Sequence, residues 1–447
     1  MTCAPFPCPR IDTGLLSAYI CILDTKKLAI DSCPWSIVFR PRADRVAVGL
    51  RESGLVKNND LAVAEAPCDA LAFLQQVVGC NTVSPPGNEI VLARIIEARL
   101  AEAGIAAQIF RENEHQANLI ATLKGGAPGP RLVLSGHLDT VPIGDAPWKH
   151  DPFSGAVDDG HVYGRGTADM KGGLLALLYA FMRQKEIAPD QWCGELVFAA
   201  TYAEEVGALG AATMVRERQI PEFDAMIIAE PTSNGLVIAH KGVLWLRVTS
   251  FGRTAHGSMP TAGTNAVDKL HLFYERLKSL DLGGSTTPLL SDPTFAVTTF
   301  NGGSNTNVIP DLCRMTIDIR TVPGQDHRAI VARIEAMAAA LAMEDPQARF
   351  EIETTLDLPG LLTDEASRIV ADCRSVLAER APGTDTVRGA QYFTDASAFA
   401  AHGGDIVILG PGAPEQAHQT DEHLAIDAYF GAIEIYRRII GRFLSRS

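Results

Sequence analysis

The 447-residue sequence lacks features that would place it in several common classes of protein. No apolar run approaches the roughly 20 residues of a membrane-spanning helix. The turns after its strand-like segments lack the G-x-G-x-x-G and P-loop patterns of nucleotide-binding α/β proteins. A basic region and a small-residue cleavage site are also missing around the early apolar stretch GLLSAYICIL, so no signal peptide is predicted.

Positive charge and cysteine motifs are also scarce. Lys and Arg number 39 against 53 Asp and Glu, which gives a formal net charge of −14 at pH 7 and argues against nucleic acid as a partner. The nine cysteines include no C-x-x-C pair, and their odd count favours reduced thiols. We therefore expect a cytoplasmic globular protein with neither a nucleic-acid nor a membrane partner.

Residues 1–65 contain no motif and are interpreted as an N-terminal extension of unknown role. They are rich in Cys and Pro and then in charge, and no methionine follows Met1 until Met170. One hypothesis is that this segment is upstream read-through and that the native start lies near VAVGL or LAVAE. N-terminal sequencing of protein from the native host would test it.

The remaining chain alternates between strand-like and helical segments. RLVLSG, ELVFAAT and DAMIIAE are apolar runs typical of buried strands, and GGLLALLYAFMRQK carries apolar residues at the spacing of an amphipathic helix. Such alternation predicts an α/β fold with a mainly parallel sheet. Between 246 and 358 the order changes to β-α-β-β-α-β, the ferredoxin-like unit. We therefore predict a discontinuous α/β domain, 66–245 and 359–447, with an inserted second domain.

Acidic and histidine side chains follow several of the predicted strands. Because ligand sites in open α/β sheets lie outside the carboxyl ends of strands, we expect these side chains to converge. They are His137 and Asp139 after RLVLSG, Glu204 and Glu205 after ELVFAAT, Glu230 ending DAMIIAE, and His418 beyond DIVILG, together with Asp169 at the helix start in YGRGTADMKGG.

Imidazole and carboxylate ligands together suit Zn²⁺, Co²⁺ or Mn²⁺. The acids are too many for one tetrahedral Zn²⁺, whereas two metals about 3.5–4 Å apart with a bridging carboxylate would use them. Taken singly, each residue also has an ordinary structural use: a helix cap for Asp169, a core histidine for His137, a turn cap for Asp139, a strand terminus for Glu230, an exposed loop for His418, and a solvated loop for Glu204 and Glu205.

Five ordered motifs resemble those of the co-catalytic zinc amidohydrolases, a family that includes acetylornithine deacetylase, succinyl-diaminopimelate desuccinylase, glutamate carboxypeptidase and the aminoacylases. The motifs are SGHLDTVP, DPFSGAVDDGHVYGRGTADMKGG, AEEVGALG, IIAEPT and AHQTDEH, and the resemblance covers about residues 68–447. It implies a metal-dependent amide hydrolase whose discontinuous domain, 66–245 and 359–447, is catalytic. The insert at 246–358 would be a lid and dimerisation domain, and the enzyme a homodimer.

The resemblance also implies a ligand set for two Zn²⁺ ions. His137, Asp169 and Glu230 would hold one zinc, and Asp169, Glu205 and His418 would hold the other, so that Asp169 is the implied bridge.

Two further acids have implied roles in the catalytic domain. Asp139 would orient the imidazole of His137. Glu204 would be the general base that takes a proton from the metal-bound water and passes it to the leaving amine.

In the inserted domain, the resemblance implies roles for three residues. His256 in GRTAHGSMP would stabilise the oxyanion, often in the partner subunit's active site. Arg320 in DIRTVPG would bind the substrate α-carboxylate, and Asn307 in NTNVIP would contact the substrate. Arg320 could instead pair with Asp318, and Asn307 could close a turn.

The expected substrate is an N-acyl amino acid, and the motifs look closest to acetylornithine deacetylase, an enzyme of arginine biosynthesis. A desuccinylase, a broad aminoacylase and a di- or carboxypeptidase are the alternatives within the family. The stretch AQYFTDASAF, with Thr394 and Asp395, departs from the deacetylase pattern. A remote alternative is an inactive dimeric homologue, which the filled ligand and base positions argue against.

Overall fold

The computed structural model describes residues 62–381 and 383–446, so residues 1–61 of the predicted extension lie outside the described residues. Nine helices of the described chain are named here in chain order. They are α1 (Ala62–Val78), α2 (Glu89–Glu102), α3 (Gly172–Lys185), α4 (Leu209–Arg216), α5 (Ala266–Leu277), α6 (His327–Glu344), α7 (Arg368–Arg380), α8 (Ala396–Phe399) and α9 (Ile426–Phe443).

Sixteen strands lie in the described residues. They are β1 (Ala107–Arg111), β2 (Ala117–Lys124), β3 (Arg131–His137), β4 (Ala156–Asp158), β5 (His161–Tyr163), β6 (Glu195–Thr201), β7 (Ala225–Ile228), β8 (Leu236–His240), β9 (Gly242–Phe251), β10 (Thr294–Gly302), β11 (Leu312–Thr321), β12 (Arg349–Leu358), β13 (Leu361–Leu362), β14 (Val387–Ala390), β15 (Asp405–Ile408) and β16 (His423–Ala425).

A nine-stranded sheet forms the larger part of the fold. Its order is β1-β2-β6-β3-β7-β15-β8-β13, with β14 beside β8. The central strands β6, β3, β7 and β15 are parallel, and the register pairs His137 with Thr201 and Ile228 with Ile408. Four consecutive strands therefore end at the same edge of the sheet, as the predicted mainly parallel sheet requires.

Helix α3 is buried on nearly every side, which corrects the prediction of an amphipathic helix. All its residues from Gly172 to Phe181 are buried. The helix packs against β3 and β6 on the sheet and against α9 and α1 in the same layer. Because another helix covers the face that would otherwise meet water, apolar residues occupy both faces.

A second, four-stranded antiparallel sheet has the order β10-β11-β9-β12. Helices α5 and α6 cover one face of it, around a core that includes Leu246, Phe273 and Ile317. The chain order is β9-α5-β10-β11-α6-β12, so the predicted β-α-β-β-α-β unit and the α/β fold class are confirmed. A third sheet, of three short antiparallel strands in the order β16-β5-β4, lies at positions where no strand was predicted.

Only Lys241 separates β8 of the large sheet from β9 of the second sheet, and only two residues separate β12 from β13. The glycine that begins β9 allows these connections to lie close together. A Cβ atom on Gly242 would lie 2.6 Å from the backbone nitrogen of Gly360 and 2.7 Å from the carbonyl oxygen of Leu358. No helix of the described residues is long and apolar enough to cross a membrane.

Candidate metal centre

His137 and Asp169 face each other at the carboxyl end of β3. His137 ends that strand and is 1% exposed. Its Nδ1–H donates to the carbonyl oxygen of Asp139 at 3.0 Å, while Nε2 lies 3.2 Å from Oδ1 of Asp169 and 3.7 Å from Oε1 of Glu230. The Nδ1 contact fixes the tautomer whose Nε2 points at the carboxylates, as a metal-ligating histidine requires.

The second oxygen of Asp169 faces a different histidine. Nε2 of His418 lies 3.3 Å from Oδ2 of Asp169 and 3.1 Å from Oε2 of Glu205. The two oxygens of one carboxylate are therefore shared between His137 and His418. This is the geometry that a bridging carboxylate needs.

Glu204 and Glu230 complete the cluster beside His137. Both carboxylates are buried. Burial, followed by the charge of the other acids, raises the pKa of each well above its ordinary value. Burial and the charge of Asp169 likewise raise the pKa of Glu205. In the absence of a cation, the cluster is thus short of positive charge.

The pKa values of the two imidazoles are raised as well, which for histidine favours the charged form. Hydrogen bonds to Asp169 and Glu205 raise the pKa of His418 to about 10. Burial opposes ionisation of His137, but the Glu230 carboxylate and hydrogen bonds to acids still raise its pKa well above the ordinary value. Both histidines would therefore hold protons that a metal ion displaces.

The donor set fits divalent metal ions. Oε1 of Glu205 is buried and has no hydrogen-bond partner among the described residues, which is the state of an oxygen that lacks its cation. A dication here would supply the missing positive charge. Two groups of ligand atoms, each within 4.8 Å of one another, lie in the cluster: one from His137, Asp169 and Glu205, the other from His137, Glu204 and Glu230.

Asp139 holds the turn after β6 as well as the first histidine. Its Oδ1 and Oδ2 accept hydrogen bonds from the backbone N–H groups of Glu204 and Glu205, at 3.0 and 3.1 Å. Its carboxylate is 3.5 Å from Nδ1 of His137, farther than its own carbonyl oxygen. The backbone of Asp139 thus orients the imidazole, and its side chain orients both glutamates.

Glu89, the first residue of α2, supports the same turn and was not identified from the sequence. Its buried Oε1 accepts the N–H of Ala203 at 3.2 Å, and Ala203 has a left-handed φ of 52°. Burial raises the pKa of Glu89 to about 7. In the sequence, an acid at this position indicates only a favourable charge at a helix start.

The three predicted residues of the second sheet domain lie apart from this cluster in their described contacts. His256 is exposed, and its Nδ1 lies 2.8 Å from Oγ of Ser258. Asn307 is exposed, and its carbonyl oxygen accepts the N–H of Gly257 at 2.7 Å. Within the described chain, neither residue shares a hydrogen bond or an ion pair with the metal cluster.

Arg320 is half-buried and already paired. Its Nε lies 2.9 Å from Oδ1 of Asp318, and its Nη2 donates to Oδ2 at 3.0 Å. The guanidinium also lies 5.9 Å from the centre of the Phe393 ring, which belongs to the large-sheet domain. A substrate carboxylate at Arg320 would therefore compete with Asp318.

Comparisons with known proteins place this geometry in a family. The pattern of Peptidase family M20/M25/M40 matches residues 133–442. A probable succinyl-diaminopimelate desuccinylase of Staphylococcus aureus (strain MRSA252) is 30% identical over 412 residues, 84% of this chain and 98% of that protein. Acetylornithine deacetylase of Proteus mirabilis (strain HI4320) is 33% identical over 347 residues, 76% of this chain and 85% of that protein.

A solved structure shares the fold. The M20 family metallo-carboxypeptidase Sso-CP2 from Sulfolobus solfataricus superposes with a TM-score of 0.70 at 18% identity, over 84% of this chain and 99% of that one. The fold, the cluster and these matches together define a metal-dependent hydrolase that acts on amide bonds. The chain belongs to Peptidase family M20/M25/M40.

The comparisons do not favour the predicted acetylornithine deacetylase over the alternatives. The desuccinylase relative matches more of the chain than the deacetylase relative does, so the desuccinylase alternative is at least as well supported. Asp395, in the stretch that departs from the deacetylase pattern, is buried and accepts a hydrogen bond from the Thr201 hydroxyl at 2.5 Å.

Proposed function

We propose that this protein hydrolyses the amide bond of an N-acyl amino acid at a site for two metal ions. The observation that carries the proposal is the carboxylate of Asp169, whose oxygens lie 3.2 Å from Nε2 of His137 and 3.3 Å from Nε2 of His418. Zn²⁺ is the ion that the ligand types suit best, with Co²⁺ or Mn²⁺ as alternatives.

The ligands divide between the two ions as the resemblance implies. His137, Asp169 and Glu230 would hold the first ion, and Asp169, Glu205 and His418 the second. When bound, such ions polarise the amide carbonyl and acidify a water molecule. The chain's own side chains must then move the protons and position the substrate.

Glu204 is the proposed general base. Its carboxylate is buried next to the first ligand set, and its backbone is fixed by Asp139 at 3.0 Å. It would accept a proton from the attacking water and deliver it to the nitrogen of the departing amine, so that a carboxylic acid and a free amino acid are released. Burial keeps bulk water away from this proton.

The proposed substrate class is N-succinyl or N-acetyl amino acids. A succinyl-diaminopimelate-type substrate comes first, because the desuccinylase relative covers 84% of this chain. An acetylornithine-type substrate comes second, because the deacetylase relative has the higher identity, 33%. In either case, Arg320 would bind the α-carboxylate and Asn307 would contact the substrate from the second domain.

We further propose that the enzyme is a homodimer in the cytoplasm. His256 shares no described hydrogen bond or ion pair with the metal cluster of its own chain, which favours action at the partner's site through the second sheet domain. Cys80, Cys193, Cys313 and Cys373 are free thiols, which is compatible with a reducing compartment.

A substrate panel with metal-reconstituted protein tests the proposal. It contains N-succinyl-diaminopimelate, N-acetylornithine, other N-acetyl and N-formyl amino acids, and several dipeptides. We expect two bound metals per chain and hydrolysis of at least one N-acyl amino acid faster than of any dipeptide. Protein that binds two metals but cleaves only dipeptides would overturn the substrate class, and protein that binds none would overturn the metal site.

A further inference from the structure

The carboxylate of Glu422 is fully buried and accepts four hydrogen bonds. Its Oε1 accepts the backbone N–H groups of Ala168 at 2.8 Å and Asp169 at 3.0 Å. Its Oε2 accepts the N–H of Gly166 at 3.0 Å and Nη1–H of Arg165 at 2.7 Å. Both oxygens are thus engaged by the segment that carries the bridging aspartate.

This segment cannot satisfy its own amides by regular helical bonds. Gly166 has a left-handed φ of 87°, and Asp169 has φ −125° and ψ 96°, outside the helical region. Successive N–H groups in such turns form a concave site for an anion. The Glu422 carboxylate occupies it, so the backbone of Asp169 is fixed through its own N–H.

The same acid also fixes the loop of the second histidine, because Glu422 follows His418 by four residues. Arg165, its ion-pair partner, donates to the carbonyl oxygen of Gln419 at 3.2 Å and to that of Pro142 at 3.1 Å. The pair of Arg165 and Glu422 therefore joins the loop after β3, the Asp169 segment and the His418 loop.

The two halves of the metal cluster need such support unequally. His137 ends a buried strand, and its side chain is 1% exposed. The side chain of His418 is 52% exposed, and His418 itself has a left-handed φ of 63°. His418 has no strand to hold it. Its distance to Asp169 depends on the contacts of the loop that Glu422 ends.

We infer that Glu422 is a positioning residue that sets the geometry of the ligand pair Asp169 and His418 without itself being a ligand. The inference rests on the proposed two-metal site. The affinity for the second metal ion, held with Glu205, should therefore depend strongly on Glu422. The affinity for the first ion, held with His137 and Glu230, should depend on it less.

Glu422→Gln tests the inference. Glutamine keeps the shape but presents one NH₂ group, which must face either the N–H groups of Ala168 and Asp169 or those of Gly166 and Arg165. Donors then oppose donors in both orientations. We expect one metal per chain to stay bound at nearly wild-type affinity and the second to bind about 10- to 100-fold more weakly, as is usual when a residue supporting a ligand is changed.

The measurements are Zn²⁺ affinities by competition with a chromophoric chelator and the absorption spectrum of the Co²⁺-loaded protein. Neither readout requires activity. Glu434→Gln is the matched control, because Glu434 pairs with Arg437 on the exposed side of α9, and both metals should stay bound there. Equal weakening of the two metals, or of neither, by Glu422→Gln would overturn the inference.

Arg165→Lys provides a second variant if Glu422→Gln does not fold. Lysine keeps the positive charge but not the fork that contacts Glu422 and two carbonyl oxygens. We expect a smaller loss of affinity for the second metal alone. The inference would be overturned if Arg165→Lys left both metal affinities unchanged, or if neither variant gave a folded protein that retains one metal. Glu422 would then contribute only to the stability of the fold. Wild-type protein that binds no metal would instead reject the proposed function.

Discussion

Glu204→Gln should remove most of the catalytic rate and leave the metals bound. Glu204 is 5% exposed, and burial followed by the charge of Glu230 raises its pKa well above the ordinary value. Its backbone N–H, which donates to Asp139 at 3.0 Å, is unaffected by the substitution. Glutamine therefore keeps the shape and the turn, but has no carboxylate to accept a proton.

The size of the effect follows from the role of a general base. Such a group contributes about 10²–10⁴-fold to the rate, which is about 3–6 kcal/mol of activation free energy at about 1.4 kcal/mol per tenfold. We therefore expect kcat of Glu204→Gln to fall by about 10²-fold or more. Bound cations would lower the pKa again and keep the group ionised.

The assay is kcat together with the metal content per chain, and the neighbouring Glu205→Gln is the matched control. Oε2 of Glu205 lies 3.1 Å from His418, so the control should lose metal as well as activity. The structure also allows Glu204 as a ligand, because its carboxylate groups with His137 and Glu230 within 4.8 Å. Equal metal loss in the two variants, or less than a tenfold fall in kcat for Glu204→Gln, would refute the general-base assignment.

Three further predictions concern Glu89, the buried His240 and His256. Glu89→Ala leaves the Ala203 N–H without its acceptor, which should cost about 1–3 kcal/mol of unfolding free energy and lower kcat. Glu89→Gln keeps an acceptor oxygen and should retain most of the stability and of kcat. Equal losses in the two variants, measured by urea unfolding and by kcat, would contradict this. Burial lowers the pKa of His240 from 6.5 to about 4. Between these pH values the unfolded chain binds a proton that the native state excludes. The free energy of unfolding therefore decreases as the pH is lowered, by up to about 3 kcal/mol. In metal-free protein, His240→Asn should reduce the loss of stability between pH 7.5 and 5.0 by about 2 kcal/mol, and an unchanged pH dependence would disprove the assignment. Mixing His256→Ala with Glu204→Gln subunits should restore about a quarter of the wild-type activity if the histidine acts across a two-fold dimer; no recovery after verified subunit exchange would argue against it.

The parallel centre of the fold could be predicted because its strands are short apolar runs. RLVLSG and ELVFAAT became β3 and β6, and the second domain followed the predicted order of elements. The strands β1 and β2 were missed, since β1 is only partly buried at the edge of the sheet and its pattern shows no clean alternation. Helix α3 was assigned an exposed face because periodicity in one segment does not reveal that α9 covers it.

The cluster itself could be anticipated because its members lie at strand ends or, for Asp169, just before the start of α3, and strand order alone brings strand ends together. The residues that support it could not. Glu89 bonds to a residue 114 positions away, and Glu422 bonds to Asp169 across 253 positions. Both contacts run from a side chain to a backbone N–H, and a backbone group leaves no mark on the residue type in the sequence.

The adjacent acids Glu204 and Glu205 show how the fold tolerates like charges side by side. Their two backbone N–H groups donate to the two oxygens of the single carboxylate of Asp139. Glu204 groups with His137 and Glu230, whereas Glu205 groups with His137 and Asp169 and also lies 3.1 Å from Nε2 of His418. The charge of Glu205 still raises the pKa of Glu204, and bound cations would offset this repulsion. In the proposed mechanism this turn presents both a ligand and a proton acceptor, and the buried carboxylate of Asp139 orients the backbone of both.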